Sequence, residues 1–296
     1  MPLAPAAVPL AWRTARRAVR LDRPVIAGIL NVTPDSFWDG GRHVGVAAAV
    51  RHAADMVAAG ADMLDIGGES TRPGAATVAA DEEIARVIPV VRAVQREWPQ
   101  LPLSVDTVKA AVARAALDAG ADIINDVSGL RLDPSLAGEI ARTGAGVILM
   151  HSRGGVDQMA SYDLAEYSAD PVADVLRELG GAVERARAAG IPGHAIVIDP
   201  GLGFAKRTEH SLALLAQLER LAALGHPVLV GPSRKRFIGA AAGDGLPVEA
   251  RLEGTIAACV LALVRGAAIF RVHDVGPVRR ALDFAHAVGR SAGHDR

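Results

Sequence analysis

The stretch Ala59-Gly60-Ala61-Asp62-Met63-Leu64-Asp65-Ile66 returns further along the chain as Ala119-Gly120-Ala121-Asp122-Ile123-Ile124-Asn125-Asp126. Looser copies are Thr143-Gly144-Ala145-Gly146-Val147-Ile148-Leu149-Met150 and Arg265-Gly266-Ala267-Ala268-Ile269-Phe270-Arg271-Val272. In each copy an Ala- or Leu-rich amphipathic segment stops at a glycine, and a short apolar run starts at once. Glycine just past a helix adopts the left-handed cap conformation, and an unbroken apolar run suits a strand buried on both faces. Helix, glycine and buried strand, repeated, spell a parallel α/β fold.

Eight strands of this kind are expected: Val25–Leu30, Met63–Gly67, Leu103–Asp106, Ile123–Asp126, Val147–Met150, Ala195–Asp199, Val228–Gly231 and Ala268–Val272. One helix fits each intervening stretch, as at Val44–Ala59, Asp81–Trp98, Val108–Ala119 and Val172–Ala189. No glycine-rich phosphate fingerprint follows the first strand, which favours a closed (β/α)8 barrel (a TIM barrel) over a doubly wound sheet. The expected organisation is one α/β barrel domain over residues 21–296, preceded by an extension over residues 1–20. Long loops follow the first, second and fifth strands, as substrate-binding loops often do.

Composition narrows the function. Half of the 296 residues are hydrophobic but only 3% are aromatic, so the core is built from Ala, Val, Leu and Ile. Thirty-two basic residues against 33 acidic ones give a net charge of −1, with no general attraction to nucleic acid or anionic lipid. An anion must be gripped by a local cluster. A single cysteine, Cys259, excludes an internal disulfide and a zinc site of paired thiols. No secretory signal is legible at the start, and a cytoplasmic protein is expected.

Barrel active sites lie at the carboxyl ends of the strands. Those positions carry Asn31, Asp65, Asp106, Asn125, Asp126, His151, Asp199, Ser233, Lys235, Arg271 and His273. Unpaired charge is costly at buried strand ends, so this set calls for a polar ligand. Two subsets separate by charge. Arg271 and His273 stand two apart on one strand and point the same way, and with Asn31 they suit an anion. Arg72, in the second loop, can join them, because guanidinium matches phosphate oxygens. Asp106, Asn125, Asp199 and Lys235 form the other subset, suited to the edge of a flat nitrogen heterocycle such as a pterin or purine.

Several spaced motifs then point to a family. Asn31-Val-Thr-Pro-Asp-Ser-Phe37 with Asp39-Gly-Gly41, and Gly67-Gly-Glu-Ser-Thr-Arg-Pro-Gly74, resemble the two signatures of dihydropteroate synthases. Asp106-Thr107, Asn125-Asp126, Leu149-Met150-His151, Asp199-Pro-Gly-Leu-Gly-Phe204, Ser233-Arg234-Lys235 and Arg271-Val-His-Asp274 match that family in order. The resemblance spans nearly the whole chain from Val25. It implies the joining of 6-hydroxymethyl-7,8-dihydropterin diphosphate to 4-aminobenzoate with release of diphosphate.

It also implies roles. Asp106, Asn125, Asp199 and Lys235 would hold the pterin ring, with Val127, Met150, Phe204 and Gly231 as apolar walls. Arg271, His273 and Asn31, joined by Arg72, would bind the diphosphate, with Mg²⁺ near Asn31. Thr71, Arg72, Pro73 and Ser233 would lie near aminobenzoate, and Asp35 and Phe37 would help close the first loop. Asp106, Lys235, Arg271 and His273 would carry the catalysis. The family implies a homodimer working on small molecules. Two rivals remain open: a pterin-binding methyltransferase barrel, which has no need of a diphosphate site, and a paralogue that has lost the transfer activity. Asp65, Asp126 and Glu69 are candidates for structural or orienting work, His151 ranks below His273, and Arg234 is undecided.

Overall fold

The computed structural model describes residues 11–33, 42–70, 77–243 and 245–291. Its strands are β1 (Ala11–Arg13), β2 (Ala18–Arg20), β3 (Val25–Asn31), β4 (Met63–Gly67), β5 (Leu103–Asp106), β6 (Ile123–Asp126), β7 (Gly146–Met150), β8 (Ile196–Asp199), β9 (Val228–Val230) and β10 (Ala267–Val272). Its helices are α1 (Arg42–Ala58), α2 (Ala80–Glu97), α3 (Ala110–Ala119), α4 (Leu136–Thr143), α5 (Pro171–Ala188), α6 (Thr208–Ala216), α7 (Arg236–Ala241), α8 (Leu252–Val264) and α9 (Val275–Ser291). Strands β3 to β10 close into a parallel barrel in sequence order, with β10 returning to pair β3. All eight barrel strands are where the alternation of caps and apolar runs puts them, within about one residue. The expected helix over 108–119 opens later, at Ala110, because the Asp133 carboxylate takes the Ala110 N–H at 2.8 Å.

Side-chain alternation divides each strand. Ile26, Leu64, Ile66, Val105 and Ile124 join the core between sheet and helices, whereas Val25, Ala27, Met63, Ile123 and Val197 fill the barrel interior. The repeated phrase has a physical reason at both ends. Its glycine caps α3 in the left-handed conformation, at φ 119 for Gly120. Its first aspartate ties strand starts together. Asp62 donates its N–H to Ile26 O at 2.9 Å and accepts the Ile26 N–H on its carboxylate at 2.8 Å. Asp122 repeats this with Leu103, at 2.8 and 3.1 Å. Both aspartates therefore stabilise the amino-terminal end of the barrel.

Residues 11–20, set apart as an extension by sequence, pack as the floor of that same end. β1 and β2 pair as an antiparallel hairpin. Trp12, fully buried, joins Val19 and Leu21 in the interior cluster and donates its indole N–H to Ala195 O at 2.8 Å. Gly146 makes room for it: a Cβ there would sit 3.0 Å from the indole ring. Arg17 fastens the hairpin to Asp122 at 2.8 Å. Truncating Trp12 removes a large buried ring and a satisfied donor. Trp12→Ala is expected to lower the unfolding free energy by about 3–5 kcal/mol in urea titrations. A loss below about 1 kcal/mol would show that the hairpin does not melt with the barrel.

Candidate active site

Strand register assembles the mouth. Asn31 pairs with Gly67, Gly67 with Asp106, and Asp106 with Asn125, so these four stand side by side in one row. Gly67 leaves the row open: a Cβ there would lie 3.7 Å from both Asn31 Oδ1 and Asp106 Cβ. Asp65, two residues before Gly67, faces the same interior one layer deeper. Its carboxylate is 1% exposed as a residue and accepts from Arg271 Nε at 2.5 Å and from Asn125 Nδ2 at 3.0 Å. Arg271 also donates to Asp106 from Nη2 at 2.9 Å. One guanidinium thus touches two carboxylates, and the expected anion holder and ring readers form a single connected cluster.

Electrostatics follow from this packing. Burial pushes the Asp106 carboxyl up to about 7; Arg271 opposes the rise, while Asp65, Glu83 and Asp126 add to it. Burial acts against the Arg271 charge, but Asp65 and Asp106 outweigh it and hold the guanidinium more firmly protonated than usual. Burial lowers the Lys235 ammonium to about 7 against the pull of Asp199. Asp199 itself is raised by burial, with Lys235 and the Gly201 N–H, 2.7 Å from Oδ1, favouring its charged form.

The apolar wall is a cluster of its own. Val108, Val127, Met150 and Met159 pack together with Phe204 against them. Lys235 Nζ lies 4.1 Å from the centre of the Phe204 ring and donates to Leu202 O at 2.5 Å. Gly231 follows β9, and a Cβ there would be 3.7 Å from Arg271 Cβ. Ser233 Oγ is 2.9 Å from His273 Nδ1 and accepts the His273 N–H at 3.1 Å. Between Ser233 and Lys235, Arg234 takes φ 53, which lets one neighbour reach His273 and the other reach Phe204. Its own guanidinium is spent on Asp274, through two bonds of 2.7 Å.

The undecided residues now have places. Asp126 points away from the mouth and accepts the N–H groups of Ser128 and Leu130, at 2.8 and 2.5 Å. Glu69 accepts the Val78 N–H at 2.7 Å and pairs with Lys109 at 2.9 Å, fastening the second loop where it begins and ends. His151 is buried and bonds Glu178 and Lys206. Asp35, Phe37, Thr71, Arg72 and Pro73 lie outside the described residues. Asp65 is the functional neighbour that sequence reading underweighted. Its signal was a charge at an inward strand position between Leu64 and Ile66. Among the described residues, no group of three or more His, Cys, Asp or Glu is arranged to hold a metal.

Barrel, charged mouth and apolar slot define an enzyme of the pterin-binding class. The family model described as pterin binding enzyme matches residues 27–273, and the chain belongs to that family, among its dihydropteroate synthases. The dihydropteroate synthase of Synechocystis sp. is 44% identical over 90% of this chain and 91% of its own length. That of Xanthomonas albilineans, solved with 4-aminobenzoic acid, is 48% identical at a TM-score of 0.86, covering 94% of this chain and 98% of that one. The same enzyme in complex with 7,8-dihydropteroate aligns at a TM-score of 0.83 with 45% identity, over 94% of this chain and 98% of that one.

The Asp65 charge is one cause of the raised Asp106 value, which gives a direct test. In the free protein, ¹³C NMR of the Asp106 carboxyl is expected to titrate near pH 7. Asp65→Asn should move that titration to lower pH. An Asp106 carboxyl that titrates in the ordinary range, or that ignores the substitution, contradicts the coupling described here.

Proposed function

We propose that the protein joins 6-hydroxymethyl-7,8-dihydropterin diphosphate to 4-aminobenzoate, giving 7,8-dihydropteroate and diphosphate in folate synthesis. The observation that carries the reading is the contact of Arg271 with Asp106. It sets a cation for the departing diphosphate beside a carboxylate for the pterin. Family membership and the ligands of the Xanthomonas structures support the same substrates.

In this reading Asp199 and Asn125 read the edge of the pterin, Lys235 a ring atom, and Val127, Met150, Phe204 and Gly231 its faces. The C–O bond between the pterin methylene and diphosphate breaks, and the electron pair leaves on oxygen. Positive charge spreads from the methylene into the dihydropterin, where Asp106 stabilises it. Arg271 and His273 hold the anion, with Asn31 at the same rim. Charges fixed in advance at both ends of a breaking bond are usually the largest catalytic term. The arylamine nitrogen then forms the new C–N bond and loses a proton. Thr71, Arg72, Pro73 and Ser233 would line the aminobenzoate side, with Asp35 and Phe37 over it.

Asn31 offers one oxygen next to the anion side of the mouth, which fits a hard cation that keeps waters and takes phosphate oxygens. A bound Mg²⁺ would supply further neutralisation of the diphosphate. A homodimer fits the exposed apolar face shared by the adjoining helices α8 and α9, where Leu261, Val264, Phe284 and Val288 are open to solvent. A cytoplasmic location fits the lone, buried Cys259.

Purified protein with pterin diphosphate, 4-aminobenzoate and Mg²⁺ is expected to form dihydropteroate, and chelation by EDTA to suppress it. Absence of product with all three present sinks the reading. Asp199→Ala should weaken binding of the free pterin about tenfold or more, while Arg271→Ala should chiefly weaken binding of the diphosphate ester. Equal losses of both ligands in both variants would overturn the division of the mouth.

A further inference from the structure

Among the described residues, Lys206 is the most deeply buried basic side chain, and the proposed chemistry leaves it unused. It is 1% exposed and lies behind the slot wall, two residues past Phe204. Its ammonium nitrogen has three acceptors: His151 Nδ1 at 2.7 Å, Phe204 O at 3.0 Å and His151 O at 3.3 Å. Burial pushes the Lys206 amine well below the usual lysine range; the Asp199 charge opposes that shift, and three acceptors in reach match the three protons of the charged form. The acceptors come from two loops. One follows β7, which ends on Met150, and the other follows β8, which ends on Asp199, and carries Phe204.

The second loop has little freedom of its own to form this contact. Gly201 has φ +66, and a Cβ there would sit 2.0 Å from His151 O, so only glycine passes under that carbonyl. Ala205 is held at φ 45, a conformation costing about 1–3 kcal/mol in a residue with a side chain. That strained residue sits between Phe204, whose ring faces the slot, and Lys206, whose chain turns away from it. On the far side, His151 Nε2 is 2.9 Å from Glu178, which also binds Arg153. Burial and the Lys206 charge push the His151 ring down to about 4, so it is neutral near pH 7. A neutral ring that accepts at Nδ1 carries its proton on Nε2 and donates it to Glu178.

We infer that Lys206 is a positioning residue: its side chain bridges the β7 and β8 loops through His151 and fixes where Phe204 packs against Met150 in the apolar wall that the heterocycle would meet. The inference rests on the pterin slot proposed above. Lys206 touches no substrate in this scheme and acts through Phe204 and His151. Losing it should therefore widen the ring site and leave the aminobenzoate side unchanged.

The test compares the wild-type protein with Lys206→Met and Lys206→Ala. Calorimetry with 6-hydroxymethylpterin reads ring binding without turnover, and steady-state assays give KM for each substrate. Lys206→Met is expected to weaken pterin binding and raise KM for pterin diphosphate about tenfold or more, with KM for 4-aminobenzoate within about twofold. Added n-propylammonium should restore pterin binding to Lys206→Ala, and n-propanol should not. Unchanged pterin affinity, equal losses for both substrates, or equal rescue by the alcohol overturns the inference. If the Lys206 variants do not fold, His151→Asn and His151→Leu decide. Asparagine keeps an acceptor near Nδ1 and should cost less pterin affinity than leucine; equal costs overturn the bridge. Failure of the wild-type protein to make dihydropteroate tells against the functional reading alone, because calorimetry still tests Lys206.

Discussion

Arg271 lies at the closing seam of the barrel, where β10 meets β3, and its guanidinium reaches back to Asp65 and Asp106. A charge at that depth is tolerable only with partners, since leaving one member of a buried pair alone costs several kcal/mol. The requirement shapes the surrounding site. Asp65 must face inward, Asn125 then finds its own partner on the same carboxylate, and Asp106 is left sharing Arg271 with a second acid. Cation and carboxylates are thereby fixed before any ligand arrives. In the proposed reaction, the stabilisation of separating charge would then need no reorganisation of the protein at the moment of bond breaking.

The same repeated phrase serves two ends of the molecule. Asp62 and Asp122 cap the strand starts at the amino-terminal end, where Trp12 closes the floor. Three residues further on, Asp65 and Asn125 stand in the mouth and bond each other. A strand of this barrel is thus a short bar with stability written at one end and chemistry at the other, as the fold class leads one to expect.

How much of this was legible depends on the kind of signal. The eight barrel strands were, because short apolar runs recur between helical stretches, four of them right after a helix-stopping glycine at Gly60, Gly120, Gly144 and Gly266. Most of the mouth was legible too, since period-two alternation tells which residues of a strand share a face. The hairpin over residues 11–20 was not: two three-residue strands are too short to show a period, and Trp12 reads as an isolated aromatic. Lys206 was missed for a related reason. A lysine in a glycine-rich loop ordinarily reads as solvated, and its burial arises from Ala205 and Gly201 folding the loop back under His151. The separation of Asp65, Asp126 and Glu69 into three different tasks needed contacts made across the fold, which no local pattern encodes.

The bond between Asp65 and Asn125 joins the two copies of the phrase directly. The two copies, alike over most of their length, make complementary choices here, an acceptor in one and a donor in the other. Neither can be exchanged for its twin: aspartate at both places would set two carboxylates face to face, and asparagine at both would leave Arg271 with Asp106 as its one remaining acidic partner of the two. Repetition in this barrel therefore ends at the mouth, where two matching segments have become a non-identical pair that can be re-engineered only together.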